Sequence, residues 1–384
     1  MWNKLFPLVY EKYLAKQIYW AFVFVLFALT SLFLFFDFIS ELSNTNDAYS
    51  NVIAFISVLL KMPSRMVEIM PIATLIAGIY TLASMASQSE FTALRVGGLN
   101  TSLAIKTLIK IAIPIGILIL LLNETIGPAS ENLSKNIKTN ALYSGAETLQ
   151  LRSGAWIKEN VTQINNNLSG TRYINIGGIE TSGAVNNMRI FEIDKNYRLV
   201  ATTRAEKAFY NSSNNKWVLE KVTETKFIEQ AKESPLDPTF TTQTINLNQT
   251  SINLEISPEL LNALLIKPDR LSIIDLFRYI FHLKKNDQDY QRYAIWLWKK
   301  IIYPFTVVVM LILALPFAYV QSRSGGLGLK VFGGIMLGIS FLLLNSLISH
   351  IGLLQEWPSW LASITPTIFY LCIALFGIKK VSRV

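Results

Sequence analysis

The sequence predicts an integral membrane protein: an α-helical bundle of six transmembrane helices, with a large β-rich, jellyroll-like domain inserted between helices 3 and 4. Three observations predict it. Of 384 residues only 16% are charged and 51% are hydrophobic, against about a quarter charged in ordinary soluble domains. Uncharged runs such as 17–36 and 301–321 have the roughly 20 apolar residues that a helix needs to cross a hydrocarbon core. Between the two groups of runs, residues 124–297 alternate polar and apolar side chains and are broken by turn-formers, the pattern of short strands.

The elements follow in order. Span 1 covers 17–40. It is longer than the apolar region of a signal peptide, and no small-residue cleavage site follows it. The next apolar pattern runs from Asn51 to Ser87, too long for one straight crossing at 1.5 Å per residue. Pro63 and Pro71 interrupt it, so a short interfacial helix over 51–62 is expected before span 2 at 64–87. Span 3, 101–123, carries Lys106 and Lys110 on one face, near an end where such chains reach back to the interface. In the insert, RYINIGGIE, MRIFEIDKNYRLVATTRAEKAFY and KWVLEKVTETKF read as strands. Turn-formers at Asp194-Lys195-Asn196 and at 211–215 separate them. Such a series suggests a sandwich, jelly roll or partly open barrel. Ser272 and Asp275 form a variant capping box that opens a helix leading back to the membrane. Spans 4, 5 and 6 cover 298–320, 330–350 and 360–378. The chain therefore divides into 1–123, 124–297 and 298–384.

Basic residues set the orientation. Lys4, Lys12 and Lys16 precede span 1, Arg95 lies between spans 2 and 3, Arg323 and Lys330 lie between spans 4 and 5, and Lys379, Lys380 and Arg383 follow span 6. Loops 41–51 and 351–359 have no Lys or Arg. Both termini are then cytoplasmic and the insert lies on the other side, the periplasm of a bacterium. This placement accounts for the net charge of +9 without a nucleic-acid partner.

The chemistry of an enzyme is missing from the pattern. The glycine cluster RSGGLGLK at 323–330 lacks the spacing and the preceding strand of a phosphate loop. With one cysteine, Cys372, and two distant histidines, His282 and His350, no disulfide framework or metal site is expected. The sequence points to a transport part with no cofactor of its own.

The stretch SQSEFTALRVGGLN, 87–100, joins spans 2 and 3. Ser87 or Ser89 suits a helix N-cap, Glu90 the positive end of the dipole, Arg95 the negative end and Gly97 the stop. So short a helix is unstable alone in water. Phe91 and Leu94 can form an apolar contact face with Glu90 beside them. Two readings fit: a coupling helix that docks on a cytoplasmic ATPase, or a capped turn lying on the headgroups.

Several segments in this order resemble the lipopolysaccharide export permeases of the LptF/LptG family. They are YEKYLAKQI before span 1, PSRMVEIMP in span 2 followed by ASQSEFTALRVGGLN, ETIGPASENLSKNIKTNAL beyond span 3, an insert starting at GAWIKE, and QRYAIWLWKKIIYPFTVVVMLILALPF. The tail LQEWPSWLASITPTIFYLCIALFGIKK is more similar to the LptG branch. The resemblance implies a half-transporter without its own ATPase site. It would pair with an LptF-like sister permease, an LptB-like ATPase dimer that binds the ATP, and LptC-like and LptA-like periplasmic bridge proteins. Its cargo would be lipopolysaccharide. Exposing an acyl chain of about a dozen methylenes costs on the order of 10 kcal/mol in water, so such a cargo needs an apolar path and an energy source.

The resemblance also assigns roles. Glu90, Phe91, Leu94 and Arg95 become the ATPase-coupling residues. Gly334 and Gly338 on span 5 form a small-residue ridge for the sister subunit, with packing inside one subunit as the alternative. Lys61, Arg65, Lys135 and Lys138 become candidate contacts for lipid phosphates. Span 1 departs from the family: FFDFISELSN carries Asp37 and Glu41 and no base. That suggests a less phosphorylated substrate, or one held through divalent cations. Competing readings are a permease of another ABC exporter, for lipoproteins or peptides, and a sensor or scaffold.

Overall fold

The computed structural model describes residues 6, 8–46, 48–142, 148–164, 168–180, 183–230, 239–258, 260–261, 267–319 and 326–381. Six helical stretches in it are long and apolar enough to cross a membrane. Helix α1 spans Val9–Leu42 and α2 spans Asn51–Ser87. A short α3, Glu90–Val96, leads to α4, Thr101–Leu121. A π turn at Leu122–Ile126 continues directly into α5, Gly127–Leu142. After the insert come α6, Ile273–Lys285, then α7, Gln291–Ala314, with a one-turn extension α8, Pro316–Tyr319. Helices α9, Leu327–Leu354, and α10, Ser359–Val381, complete the bundle. Part of the turn expected at 323–330 lies outside the described residues.

The break expected at Pro63 is absent. Helix α2 is continuous for 37 residues with both prolines inside it, about 55 Å at the rise of an α-helix. Its first third is not an isolated interfacial helix, because α5 rises beside it. Ser57 and Ser134 meet at 2.9 Å between their hydroxyls, and Ser134 also donates to the Ser57 carbonyl at 2.7 Å. A helix packed on several sides tolerates the lost backbone bond of a proline.

Burial ranks the spans in an order that hydropathy does not foretell. The apolar stretch of α2 is 83% buried, whereas those of α1 and α9 are 11% and 17% buried. Helix α2 is thus the core of the bundle, and α1 and α9 present wide apolar faces outward. Gly334 and Gly338 of α9 face α2 of the same chain. A Cβ there would stand 2.6 Å from Ile79 and 2.7 Å from Ile72. The ridge predicted for a sister subunit is a packing seam within the chain, since bare backbone is what lets α9 approach two branched side chains.

The insert is a six-stranded antiparallel sheet in meander order: β1 Thr148–Ile164, β2 Leu168–Glu180, β3 Val185–Asp194, β4 Leu199–Asn211, β5 Lys216–Gln230 and β6 Thr239–Ile252. The turns fall where Asp194 and Asn211 accept bonds from the backbone of Asn196 and Ser213. Alternation puts Ile157, Ile174, Ile190 and Leu219 on one buried face. Trp217 closes that core, fully buried, its indole donating to the Ile256 carbonyl at 2.7 Å. Strand β6 does not stand out by pattern, because TFTTQTINLNQTSI is mostly polar and largely exposed, Ile245 and Leu247 included. Main-chain pairing along β5 holds it.

The return helix α6 begins as expected. Ser272 accepts from the Asp275 amide at 3.0 Å and donates to its carboxylate at 2.7 Å. Glu124, in the π turn, accepts from the amides of Ile273 and Ile274. At the far end, Asn286 accepts from the Asn160 amide at 2.6 Å. One helix therefore joins the end of span 3 to the base of the sheet.

Candidate functional site

Two places concentrate polar chemistry on the bundle, one at each end. The first is α3. Its seven residues are anchored inward by aromatic and polar contacts. Phe91 is 2% exposed and meets the Tyr319 ring edge-on at 5.2 Å. The Arg95 guanidinium lies 4.8 Å from the same ring, and Tyr319 bonds to Thr101 at 3.0 Å. Tyr13 of α1 donates to the Glu90 carboxylate, whose two oxygens both lie at 3.0 Å. The short helix is thus held between α1 and α8.

Several details differ from the sequence reading. Ser89 is in the left-handed region, φ +62°, and makes no side-chain cap. The Ser87 hydroxyl turns back to the Ser84 carbonyl. The left-handed stop falls on Gly98, φ +102°, rather than Gly97. There the Gly98 amide donates to the Arg95 carbonyl at 3.0 Å and the Leu99 amide to Leu94 at 2.9 Å, the paired bonds of a Schellman stop. Most important, Phe91 does not face outward. It is the anchor, Leu94 is half-buried behind it, and the exposed face carries Ser89, Thr92, Ala93 and Val96. On a helix wedged between two spans, the largest apolar residue falls on the side that excludes water.

The second place is where the bundle meets the insert. Glu41 of α1 takes Lys61 at 3.6 Å, and also Lys138 and the Tyr49 hydroxyl. Asp37 takes the Arg65 Nε and Nη2, at 2.9 and 3.3 Å. Arg65 reaches on to Glu68 at 3.0 Å, and Glu68 to Arg270 at 3.1 Å. The acids of span 1 and three of the four predicted phosphate contacts are therefore partners of one another. Neutralisation by Lys61, Arg65 and Lys138 explains Asp37 and Glu41 without a less phosphorylated substrate. Lys135 is half-buried and, among the described residues, has no carboxylate partner. Glu68 and Arg270 were missed. The i, i+3 spacing of Arg65 and Glu68 was the one signal available. Midway along α4, Lys110 pairs with the nearly buried Glu11 of α1 at 2.7 Å.

Between α1, α2 and α9 lies a groove of about 860 Å³. Trp20, Phe24, Tyr80 and Val331 line it, and Tyr13 and Lys16 stand at its polar side.

Six apolar helices with an inserted sheet define a multi-pass membrane protein with a large domain outside the bilayer. Residues 12–380 match the family model of the lipopolysaccharide export system permease LptF/LptG, and the chain belongs to that family of transport permeases. It is similar to the lipopolysaccharide export system permease protein LptG of Escherichia coli K12, 25% identical over 97% of this chain and 99% of that one. It is also similar to the LptG protein of Haemophilus influenzae, 24% identical over 94% and 95% of the two chains.

Proposed function

We propose that the chain is the LptG-like half of an inner-membrane exporter that lifts lipopolysaccharide out of the bilayer and passes it to a periplasmic bridge. Both termini and α3 face the cytoplasm, and the sheet faces the periplasm. The observation that carries this reading is the outward apolar face of α1 and α9 with the groove beside it. Trp20, Phe24 and Phe27 are each about 70% exposed, and Trp20 and Phe24 also line the groove of about 860 Å³ between α1, α2 and α9. An LptF-like sister closes that face and encloses an apolar path. Helix α3 docks on an LptB-like ATPase dimer that binds and hydrolyses ATP, and this chain supplies no nucleotide site. Glu90 and Arg95 keep α3 fixed to the spans, Phe91 and Leu94 seat it, and Val96 with its exposed neighbours meets the ATPase. LptC-like and LptA-like proteins continue the sheet into the periplasm. Lys135 is the phosphate contact least committed to other partners, with Lys61, Arg65 and Lys138 released to the lipid only by exchange of their carboxylates.

The test is a pull-down from detergent-solubilised membranes with this chain as bait and mass spectrometry of proteins and lipids. Recovery of an LptF-like chain, an ATPase and lipopolysaccharide together is expected. A different ATPase with lipoprotein or peptide and no lipopolysaccharide would overturn the cargo assignment. Val96→Asp is expected to reduce ATPase recovery while leaving the sister chain bound.

A further inference from the structure

The face that α7 turns toward the π turn reads Trp296, Lys299, Lys300 and Tyr303. That spacing, i, i+3, i+4, i+7, is the one by which a helix carries its core stripe. Here its two central positions are lysines, and each is only 7% exposed. Among the described residues neither forms an ion pair. Lys299 lies over the Trp296 ring at 4.6 Å, and Lys300 donates to the Asn123 side chain at 3.2 Å. A buried ammonium that makes no contact ion pair is costly, and the chain places two side by side, with Asp269, Glu124 and Glu68 acting on them only at longer range.

A third cation enters the same cavity from the turn before α6. Arg270 spends its Nε on Asp269 at 3.2 Å and its Nη2 on Glu68 at 3.1 Å. Its Nη1 is buried and has no hydrogen-bond partner. The two carboxylates are already engaged: Glu68 is shared between Arg65 and Arg270, and Asp269 is held by Arg270. The cavity between these groups measures about 50 Å³. A water-sized sphere takes up about 10–15 Å³, so the space suits a group of four or five heavy atoms.

We propose that this cavity binds one phosphate-type oxyanion, with the Lys299 and Lys300 amines and the Arg270 Nη1 as its donors. Two point charges and the edge of a planar guanidinium, reaching in from separate elements, match a tetrahedral anion better than a single-atom one. Asn123 orients Lys300, and Glu68 and Asp269 fix the guanidinium so that Nη1 is the donor left over. The anion would tie α7 to the π turn and to the root of α6, the junction through which the insert joins the bundle. The phosphate can be free in solution or carried on a lipid headgroup. The proposal stands whether or not the cargo reading holds, because it concerns a pocket inside this chain, apart from the groove on α1.

Thermal unfolding of the delipidated full chain in a neutral maltoside detergent, followed by tryptophan fluorescence, tests it. Four additions are compared: sodium phosphate, sodium chloride at equal ionic strength, a short-chain phosphatidic acid and the matching diacylglycerol. A saturable rise in midpoint with both phosphate and phosphatidic acid marks a site open to the free ion. A rise with phosphatidic acid alone marks a lipid headgroup as the source. No rise beyond that of chloride and diacylglycerol overturns the proposal. The rise is expected to vanish in the double variant K299M/K300M. K299M alone, which removes an amine with no hydrogen-bond partner among the described residues, keeps the test usable if the double variant does not fold. It should shift half-saturation to at least several-fold higher phosphate, and an unchanged half-saturation would equally overturn the assignment.

Discussion

Two clusters of charge, one inside the insert and one where the bundle meets it, are built from the same residue types and do different work. In the sheet, Glu159, Arg172 and Glu192 stand opposite one another on β1, β2 and β3. Arg172 bonds to Glu192 at 2.8 and 3.0 Å and to Glu159 and the Asn253 carbonyl at 3.4 and 3.3 Å. The three side chains are 2–11% exposed. Burial pushes the Glu159 carboxyl up, and the Glu255 amide and Arg172 pull it back. At the bundle the series Asp37, Arg65, Glu68 is 26–42% exposed and crosses two helices. The buried triad has few bonding positions left and serves the sheet. The open series can exchange partners, because water and ions compensate a charge that lets go. The difference teaches that a charge cluster can exchange partners only where water reaches it or where its groups keep bonding positions unfilled, and that the number of charges it holds does not decide this.

The largest test of this comparison is Arg172→Met. It leaves two buried carboxylates unpaired and is expected to destabilise the insert by about 3–5 kcal/mol, read by denaturant unfolding. Arg65→Ala is expected to cost about 1 kcal/mol, as partly screened pairs do. If the two variants cost the same in parallel melts, the comparison fails. A smaller effect concerns His282, at the C-terminal end of α6. Burial pushes its imidazole below the ordinary range, with Glu255 opposing and Lys285 adding to the shift. The unfolded chain then binds a proton that the folded chain refuses, so stability falls as pH drops below about 6.5. The protection of the α6 amides, taken relative to the intrinsic exchange rate at each pH, should fall between pH 7.5 and pH 5, and His282→Phe should remove that part of the fall. The smallest effect is at α3. Tyr13→Phe deletes one hydrogen bond to Glu90 and should speed exchange of the 89–98 amides while leaving the midpoint of unfolding in place. Unaltered exchange would show that Phe91 and Tyr319 hold α3 without α1.

Much of the architecture was legible. The apolar runs located all six spans, the turn-formers located the hairpins after β3 and β4, and Ser272 with Asp275 located the start of α6. These are local signals, set by residues within one turn or one strand of each other. The candidate site was read less well, for a physical reason in each case. Pro63 argued for a break, but α5 supports the helix there, and α5 is some seventy residues away in sequence. Gly334 and Gly338 permit a close approach without naming the approaching helix, which proves to be α2. Phe91 has no neighbour in sequence to say that Tyr319 waits on its inner side. Asp37 and Glu41 looked like a departure in charge because Arg65, Lys61 and Lys138 reach them only through the fold.

Composition and periodicity by themselves determined that this chain crosses a membrane six times, carries a sheet between its third and fourth spans, and has no sequence motif for nucleotide chemistry. Hydrophobic length and alternation suffice for that, because a bilayer and a sheet face each impose a simple period on the chain. Tertiary structure alone decided which apolar helix lies inside. The more hydrophobic α1 is on the rim and α2 is at the centre, since in lipid an apolar surface gains nothing from being buried and close packing of small and fitted side chains selects the core. It also decided which charges are paired and which are left over, because an ion pair is made in space, by groups that the chain brings together only when it is folded.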